Sequence, residues 1–291
     1  MKPAAFEYHR PASAAESVVL LAELGDEAKV LSGGQSLIPM LSLRLAVFEH
    51  LVDIGRLDEL EGIEHRDGGL WIGATTTEAA VEHSHEVASS VPLLARATPF
   101  VGHFQIRNQG TLGGSVAHAD PAAEYPAVAL ALGATIDALS PRGVRTIAAE
   151  EFFTGLWDTA LASDELLTGV TFPVWSGRCG FAIQEVARRH GDFAIAGAVV
   201  AVELDADDRV RRCGIGLIGL GSTPLRAAAA EAAATGTSAA DIDVAELGRV
   251  AVADLTAVPS DLHGSSAYRA RVGATMVERA WTQAIEEALG G

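Results

Sequence analysis

Cysteine is scarce in this chain, which has only Cys179 and Cys213 among its 291 residues. The two do not form a Cys-x-x-Cys motif, so the sequence offers no iron–sulfur or zinc site of the usual kind. Two isolated cysteines also build no disulfide framework, a pattern typical of proteins from a reducing compartment. The cysteines therefore predict neither a metal cluster in this chain nor a disulfide-stapled secreted domain.

Positive charge is the second shortage. The sequence has 21 lysine and arginine residues against 38 aspartate and glutamate residues, a formal net charge of −17. Nucleic acids and anionic membranes are bound through compensating positive charge, so neither is an expected partner. An acidic protein can still bind an anionic cofactor where backbone amides supply the local donors.

Long apolar runs are also missing. The longest, around residues 127–134, is too short to span a bilayer. The opening residues 1–7 contain no apolar core of a signal peptide. We therefore expect a cytoplasmic protein with no membrane insertion.

The remaining pattern is a mixture of helices and strands, which predicts an α+β protein of about two domains. Ser13 stands three residues before Glu16, the spacing of a capping box that opens a helix through about Leu24. Residues 75–78 predict another helix start through their capping hydroxyls. The expected strands of this half are 29–31, 50–54, 69–73 and 134–138, the further helices are 37–45, 93–97 and 125–132, and 102–114 is an expected loop.

The C-terminal part has a different pattern. Residues 180–186, 195–204 and 210–220 predict three strands of an antiparallel sheet, with a turn at Asp205–Asp208. Two helices are expected after them, from Pro224 to about Ala234 and from Tyr268 to Leu289. We place the main domain boundary near residues 175–180, where Pro173 and Gly177 interrupt the pattern.

Two glycine pairs are the strongest functional signal. They lie in Ser32-Gly33-Gly34-Gln35-Ser36 and in Thr111-Leu112-Gly113-Gly114-Ser115. Glycines allow a sharp turn whose successive backbone amides point into one concavity, and hydroxyls add donors for an anion such as a diphosphate. Both segments can also be simple tight turns. Spacing alone does not separate FAD from a nucleotide triphosphate.

The wider context of the two pairs resembles a known family. Residues 29–39 followed by Leu43-Arg44, and residues 105–115 followed by 117–124, resemble the two flavin motifs of the FAD subunit of molybdenum hydroxylases. The pattern is similar to medium subunits of the carbon monoxide dehydrogenase type and to the FAD domain of xanthine dehydrogenase. The resemblance extends over the whole length and includes Glu185–Ala194.

The resemblance implies a fold and its boundaries. It implies a two-subdomain FAD-binding domain, of the type of p-cresol methylhydroxylase and vanillyl-alcohol oxidase, over residues 1–177, with subdomains of about 1–56 and 57–177. A C-terminal domain over 178–291 would contain the three-stranded antiparallel sheet and helices. FAD would lie extended between the two N-terminal subdomains, with its ring toward the C-terminal domain.

The resemblance also implies site residues. The first loop with Thr111, Gly114 and Ser115 would hold the pyrophosphate and ribityl chain. Glu124 stands where relatives commonly have an aspartate near the ribose, Phe193 where many have a tyrosine near the isoalloxazine, and Gln184 where some have a lysine. The full set of implied cofactor-binding residues is Lys29, Ser32, Gly33, Gly34, Gln35, Ser36, Leu37, Thr111, Gly114, Ser115, His118, Glu124, Leu167, Gln184 and Phe193.

The implied function is electron transfer within an oxidoreductase complex. A large molybdopterin subunit would oxidise the substrate, a small subunit would carry two [2Fe–2S] clusters, and FAD in this chain would pass electrons to an external acceptor. The expected assembly is a dimer of heterotrimers. Two other hypotheses stay open: a stand-alone flavin-dependent oxidase or dehydrogenase, and a nucleotide-binding protein without redox activity. No confident general base is visible, which favours the subunit.

Several further motifs have a structural and a functional interpretation. Gly214-Ile215-Gly216-Leu217-Ile218-Gly219 satisfies a dinucleotide-binding pattern, but its alternating apolar residues indicate a strand. His83 and His85 could bind a metal or lie at an exposed helix end, and we favour the second. Arg107-Asn108 is expected to shape a loop through hydrogen bonds to carbonyls. For Arg188 and Arg189, intramolecular ion pairs and a partner contact both stay open.

Overall fold

The computed structural model of the protein describes residues 2–290. The first sheet is formed by N-terminal residues. It is parallel, with strand order β1-β3-β2. Its elements are β1 Glu7–His9, α1 Ala14–Leu24, β2 Ala28–Leu31, α2 Leu37–Leu43 and β3 His50–Asp53. The capping-box prediction is confirmed, because Ser13 caps α1 by accepting a hydrogen bond from the Glu16 amide at 3.1 Å. The apolar face of α1 packs on the sheet through Val18 and Leu21.

The second sheet is antiparallel and has five strands in the order β4-β5-β10-β6-β7. Its strands are β4 Ile63–Arg66, β5 Gly69–Gly73, β6 Thr135–Ser140, β7 Gly143–Ala148 and β10 Leu166–Pro173, and β8 Phe153–Gly155 pairs separately with β9 Asp158–Thr159. The helices between these strands are α3 Glu78–His83, α4 His85–Ser90, α5 Pro92–Ala97, α6 Phe104–Arg107, α7 Leu112–His118, α8 Glu124–Leu132 and α9 Ala149–Phe152.

The third sheet contains the three predicted antiparallel strands. They are β11 Arg178–Val186, β12 Ala196–Leu204 and β13 Val210–Ile218, and a two-residue strand β14 Leu225–Arg226 adds a fourth at the edge. The helices that follow are α10 Ala228–Ala234, α11 Val244–Ala253 and α12 Ser266–Gly290. The prediction of α12 is confirmed. The predicted helix start at Pro224 was wrong because the chain first pairs with β13, and α11 was not predicted.

The largest apolar core joins the second and third sheets. It contains the fully buried Ile72, Tyr125 and Phe172 from one side and Val199 and Ile218 from the other. Helix α8 is central to this core, since each of its residues is buried. A second core lies between the third sheet and α10–α12, and it includes Trp281.

The packing of α8 also explains the glycine pattern of the dinucleotide-like motif at residues 214–219. Most of the motif lies within β13, as the alternation predicted. The Gly214 Cα faces α8 so closely that a Cβ there would lie 1.8 Å from the carbonyl oxygen of Ala131. The glycine is required by helix-on-sheet packing, and the strand interpretation is confirmed.

The segment 102–114 was predicted as a loop and is partly helical. Helix α6 lies inside it, and α7 begins at Leu112. Thr111 explains the early helix start, because its hydroxyl accepts a hydrogen bond from the Gly114 amide at 3.0 Å. The second glycine pair is therefore the first turn of a helix rather than the loop before it.

No helix within residues 2–290 combines the length and the apolar character that crossing a bilayer requires.

Candidate functional site

A cavity of about 630 Å³ lies between the first sheet and the helices of the second. Its walls come from β2 and the start of α2 on one side, and from α7 and the start of α8 on the other. β10 and the segment 191–193 complete it. The volume falls in the range of about 300–1,000 Å³ that is common for ligand and cofactor sites.

The first glycine loop presents unused donors to this cavity. Residues 33–36 line it, and within residues 2–290 none of their backbone amides donates a hydrogen bond to a protein acceptor. The loop follows β2 directly and ends in the N-terminus of α2. Consecutive free amides next to a helix N-terminus form a concavity that suits an anionic group.

The second glycine loop meets the first at close range. The Ser32 and Thr111 hydroxyl oxygens lie 2.9 Å apart and share a hydrogen bond. A Cβ on Gly33 would lie 2.1 Å from the carbonyl oxygen of Gln109, so the two backbones touch at a position that only glycine can occupy. The amides of Gly113, Gly114 and Ser115 already have partners inside the protein. The second loop therefore offers hydroxyl groups and the N-terminal end of α7, whereas the first offers free amides.

The charge of the lining is unusual for a site that would hold a diphosphate. Among the lining residues that the structure describes, Lys29 is the single lysine or arginine. Seven carboxylic residues line the same cavity, namely Asp26, Glu78, Asp120, Glu124, Asp158, Glu165 and Asp192. Attraction by positive side chains is therefore not the main source of anion binding, and neutral donors must supply it.

Three of the lining carboxyl groups are buried, and Glu165, which is 7% exposed, is paired with Arg145. Glu78 is 4% exposed and Glu124 is 6% exposed. Burial raises the pKa of both groups, with the neighbouring Glu185 as a second cause for Glu124, and each pKa reaches about 8. The Oε2 atom of Glu78 has no hydrogen-bond partner among residues 2–290. At neutral pH both groups are mostly protonated, which lowers the negative charge of the cavity.

An aromatic pair closes one side of the cavity. The rings of His118 and Trp157 are stacked, with centroids 6.1 Å apart and planes inclined by 9°. The Trp157 indole donates to Asp120 Oδ2 at 3.2 Å, and Asp120 Oδ1 accepts from the Ala122 amide at 2.8 Å. Burial lowers the pKa of His118. The neutral imidazole can then serve as either donor or acceptor toward a bound ligand.

The cavity brings together fourteen of the fifteen residues expected from the sequence. These are Lys29, Ser32, Gly33, Gly34, Gln35, Ser36, Leu37, Thr111, Gly114, Ser115, His118, Glu124, Leu167 and Phe193. Leu167 is a buried wall residue, whereas Phe193 is 68% exposed. Gln184 does not line the cavity: its amide donates to Gln283 Oε1 on α12 at 3.0 Å. Its position on β11, packed against α12, turns it away from the site.

The residues present fit an extended dinucleotide cofactor. The free amides of 33–36 and the hydroxyls of Ser32, Thr111 and Ser115 can donate hydrogen bonds to a diphosphate, and the apolar wall residues can cover an aromatic ring. This fit rests on neutral donors and on shape, which agrees with the shortage of positive charge in the lining.

Comparisons with known proteins agree with this site. A family model described as "FAD binding domain in molybdopterin dehydrogenase" matches residues 4–175, and one described as "CO dehydrogenase flavoprotein C-terminal domain" matches 181–284. This chain belongs to the FAD-binding subunit family of molybdopterin dehydrogenases. Its cofactor is FAD, and it is a subunit of an oxidoreductase.

Individual relatives of this FAD-binding subunit are similar over nearly their full length. The 6-hydroxypseudooxynicotine dehydrogenase complex subunit alpha of Paenarthrobacter nicotinovorans is 40% identical over 99% of this chain and 97% of its own. The carbon monoxide dehydrogenase medium chain of Afipia carboxidovorans is 38% identical over 96% of both chains. The solved carbon monoxide dehydrogenase of Hydrogenophaga pseudoflava has a matching chain with a TM-score of 0.95, 38% identity and 99% coverage of each. The expected family and fold class are confirmed.

Glu78 and Trp157 are among the residues lining the FAD-binding subunit's cavity that the sequence did not predict. Glu78 stands at the predicted helix start, and Thr77 does cap α3 by accepting from the Ala80 amide at 3.2 Å. Nothing in that local pattern shows that the carboxyl group packs against Gly110, where a Cβ would lie 2.6 Å from Glu78 Oε2. Trp157 has a φ of 56° in a short turn, and no local motif marks it.

The arginine and histidine motifs that had two interpretations in the sequence make contacts of a structural kind. Arg107 donates to Glu82 Oε2 at 2.7 Å and to the carbonyls of Val101 and Gly102 at 3.1 and 3.3 Å, so its expected role in shaping the loop is confirmed. His83 ends α3 and His85 begins α4, both exposed, as the helix-end hypothesis predicted. Arg188 lies 3.5 Å from His263 Nδ1 through its Nη1 atom.

Proposed function

We propose that this subunit transfers electrons from iron–sulfur clusters of a partner chain to an external acceptor. The observation that carries the proposal is the single cavity in which the free amides of residues 33–36, the linked hydroxyls of Ser32 and Thr111 and the predicted wall residues meet. FAD, when bound there, supplies the redox chemistry that joins the partner's one-electron carriers to the acceptor.

The residues of the chain would bind and orient the cofactor. We assign the diphosphate and ribityl chain to the Ser32–Leu37 segment with Thr111, Gly114 and Ser115, because these supply the free amides and hydroxyls. Lys29, His118 and Glu124 would lie along the same extended ligand, with Leu167 packing on it. Phe193, exposed at the rim, would shield the isoalloxazine. Gln184 has no place in this assignment because it does not line the cavity.

The proposed holoenzyme has three kinds of subunit. Relatives named as a medium chain or as one subunit of a complex support partner chains for this protein. We propose a large molybdopterin subunit that oxidises the substrate and a small subunit with two [2Fe–2S] clusters, assembled as a dimer of heterotrimers in the cytoplasm. The two cysteines, Cys179 and Cys213, are not bonded to each other and form no cluster-binding pattern, which fits clusters held elsewhere.

The domain organisation is proposed on the same grounds. A FAD-binding domain over 1–177, with subdomains of about 1–56 and 57–177, would contain the first two sheets. A domain over 178–291 would contain the third sheet, β11 beginning at Arg178. The joint core of the second and third sheets would keep the two domains in one arrangement.

The test uses the purified complex and the isolated chain side by side. The complex should contain one FAD per chain, and its flavin absorbance should bleach when the substrate of the large subunit is added. The isolated, flavin-loaded chain should bleach with dithionite but not with that substrate. Bleaching of the isolated chain by the substrate would favour a stand-alone flavin enzyme instead, and absence of flavin from the complex would contradict the whole proposal.

A further inference from the structure

A second cluster of potential ligands lies on the first sheet, among side chains that the cofactor site does not use. Glu7 and His9 stand two residues apart on β1, so their side chains share one face of the strand. His50 on β3 is the register partner of Glu7. The sheet therefore directs two imidazoles and one carboxylate toward the same point.

The three ligand atoms form a compact triangle. His9 Nε2 and His50 Nδ1 are 3.1 Å apart, and Glu7 Oε2 lies 3.6 Å from His50 Nδ1 and 4.0 Å from His9 Nε2. A point equidistant from three atoms with these separations lies about 2.1 Å from each, which is within the usual range of zinc–nitrogen and zinc–oxygen bonds, about 2.0–2.2 Å.

The surroundings of the triangle favour binding of a cation and limit the movement of the His9 and His50 imidazole rings. The His9 and His50 side chains are 25% and 16% exposed, so both imidazoles are held by packing while Glu7 reaches them from solvent. His50 also groups with the carboxylates of Glu27 and Glu49, with ligand atoms within 4.8 Å of one another. Carboxylates beside a ligating imidazole orient the ring and strengthen its binding to a metal.

We propose that Glu7, His9 and His50 form a binding site for a zinc-like divalent transition-metal ion, separate from the cofactor cavity. Two imidazoles with one carboxylate suit Zn²⁺, Co²⁺ or Ni²⁺, whereas Ca²⁺ and Mg²⁺ prefer all-oxygen sites. The Glu7 side chain is 75% exposed, so a water molecule can reach the fourth position of a bound ion. A bound ion links the edge strand β1 to β3, and β3 pairs in turn with β2, whose Lys29 lines the cofactor cavity.

The test measures Zn²⁺ binding to the tag-free, chelator-treated complete chain by calorimetry, with metal content counted by mass spectrometry. One Zn²⁺ per chain is expected, with a rise in melting temperature, and no binding of Ca²⁺ under the same conditions. His9→Gln, His50→Gln and Glu7→Gln should each weaken Zn²⁺ binding by about tenfold or more. Co²⁺ should give the visible absorption bands of a low-coordinate nitrogen–oxygen site.

The matched control is His65→Gln. His65 contacts the Glu86 carboxylate on the surface and, within residues 2–290, belongs to no group of three potential metal ligands, so this variant removes a histidine–glutamate pair without touching the triangle. Its Zn²⁺ affinity should equal that of the parent. The proposal is overturned if the parent binds no Zn²⁺, if His9→Gln and His50→Gln bind it as the parent does, or if His65→Gln weakens binding equally. Circular dichroism spectra matching the parent show that each variant is folded.

Discussion

The Ser32 Oγ atom lies 2.9 Å from Thr111 Oγ1, and this hydrogen bond joins the two glycine-pair loops across 79 residues of chain. Thr111 has a second task, because the same oxygen caps α7 by accepting from the Gly114 amide at 3.0 Å. One side chain therefore sets both the start of a helix and the contact between the two halves of the cofactor site.

Thr111→Val removes the hydroxyl group of Thr111 but keeps the size of the side chain, so it tests the two hydrogen bonds of Thr111 and not its packing. The variant removes the helix cap and the link to Ser32, so the free energy of unfolding should fall by about 1–2 kcal/mol and FAD affinity should fall as well. Ser32→Ala removes only the link and should cost less. Thr111→Ser keeps the hydroxyl and should stay close to the parent. Urea unfolding measures the free energy of unfolding, and flavin fluorescence quenching measures FAD affinity. Equal values for Thr111→Val and Thr111→Ser would contradict the role assigned to the Thr111 hydroxyl.

Gly33→Ala tests the close contact of the loops. The new Cβ would lie 2.1 Å from the Gln109 carbonyl oxygen, which belongs to the backbone and cannot move without shifting the loop. We expect a loss of FAD affinity of at least about tenfold and destabilisation of about 1–3 kcal/mol. Gly290→Ala is the control, since a Cβ there meets nothing within 4 Å. Undiminished flavin content of Gly33→Ala would contradict the assignment of this loop to the diphosphate.

The sequence was sufficient for the parts of the site that are local in the chain. Each glycine loop is a short segment directly after a strand or at a helix start, so its donors can be predicted from neighbouring residues. Glu78 depends instead on contacts with Gly110, formed only when distant segments pack. The same holds for Gln184, whose direction is decided by α12 about a hundred residues later in the chain.

The fold divides in the same way. The long elements β11, β12, β13 and α12 were predicted from the sequence, and every residue of β12 is buried, as expected for a continuous apolar strand in a core. Strand β14 has two residues and exists only through pairing with β13, so no local signal predicts it. Helix α7 begins in a segment rich in glycine, where the capping Thr111 outweighs low helix propensity, whereas α6 in the same segment has no side-chain cap.

Raising the pH should release FAD. Burial raises the pKa of Glu78 and Glu124 to about 8, so both carboxyl groups lose their protons as the pH passes through that value. The new negative charges face an anionic diphosphate, and FAD affinity should fall between pH 7 and 9. Glu78→Gln and Glu124→Gln should flatten this profile, whereas exposed Glu23→Gln should not. Fluorescence titration of FAD across this pH range measures the effect.

In the absence of cofactor, the pH dependence of the free energy of unfolding should reflect the protonation of Glu78 and Glu124. Their folded pKa of about 8 lies above the ordinary value of 4.5, so the folded state binds protons more tightly than the unfolded state. Their contribution is complete below pH 4.5 and is lost as the pH rises toward 8. The Gln variants should therefore lose less stability than the parent over that window, and parallel melting-temperature profiles would contradict this account.

The bidentate pair of Arg96 and Glu287 should couple the second and third sheets. The Arg96 Nη1 and Nη2 atoms donate to the Glu287 carboxylate at 2.5 and 2.6 Å, and Glu287 Oε2 also accepts from the Phe181 amide at 2.9 Å. Arg96 is on α5 and Glu287 on α12, so the pair fastens the C-terminal helix to the cofactor-binding half. These hydrogen bonds hold the pKa of Glu287 below its usual value.

Glu287→Gln should lower the free energy of unfolding by about 1–2 kcal/mol near neutral pH, because a bidentate pair and a backbone contact weaken together. The stabilisation from the depressed pKa is present above pH 4.5 and disappears as the pH falls through the folded value, so parent and variant should converge in acid. Asp164→Asn, which breaks the pair with the exposed Arg142, is the control and should cost less than Glu287→Gln. Urea unfolding at several pH values compares Glu287→Gln with Asp164→Asn. An equal loss of unfolding free energy in the two variants would show that the contact between α5 and α12 is no stronger than a surface ion pair.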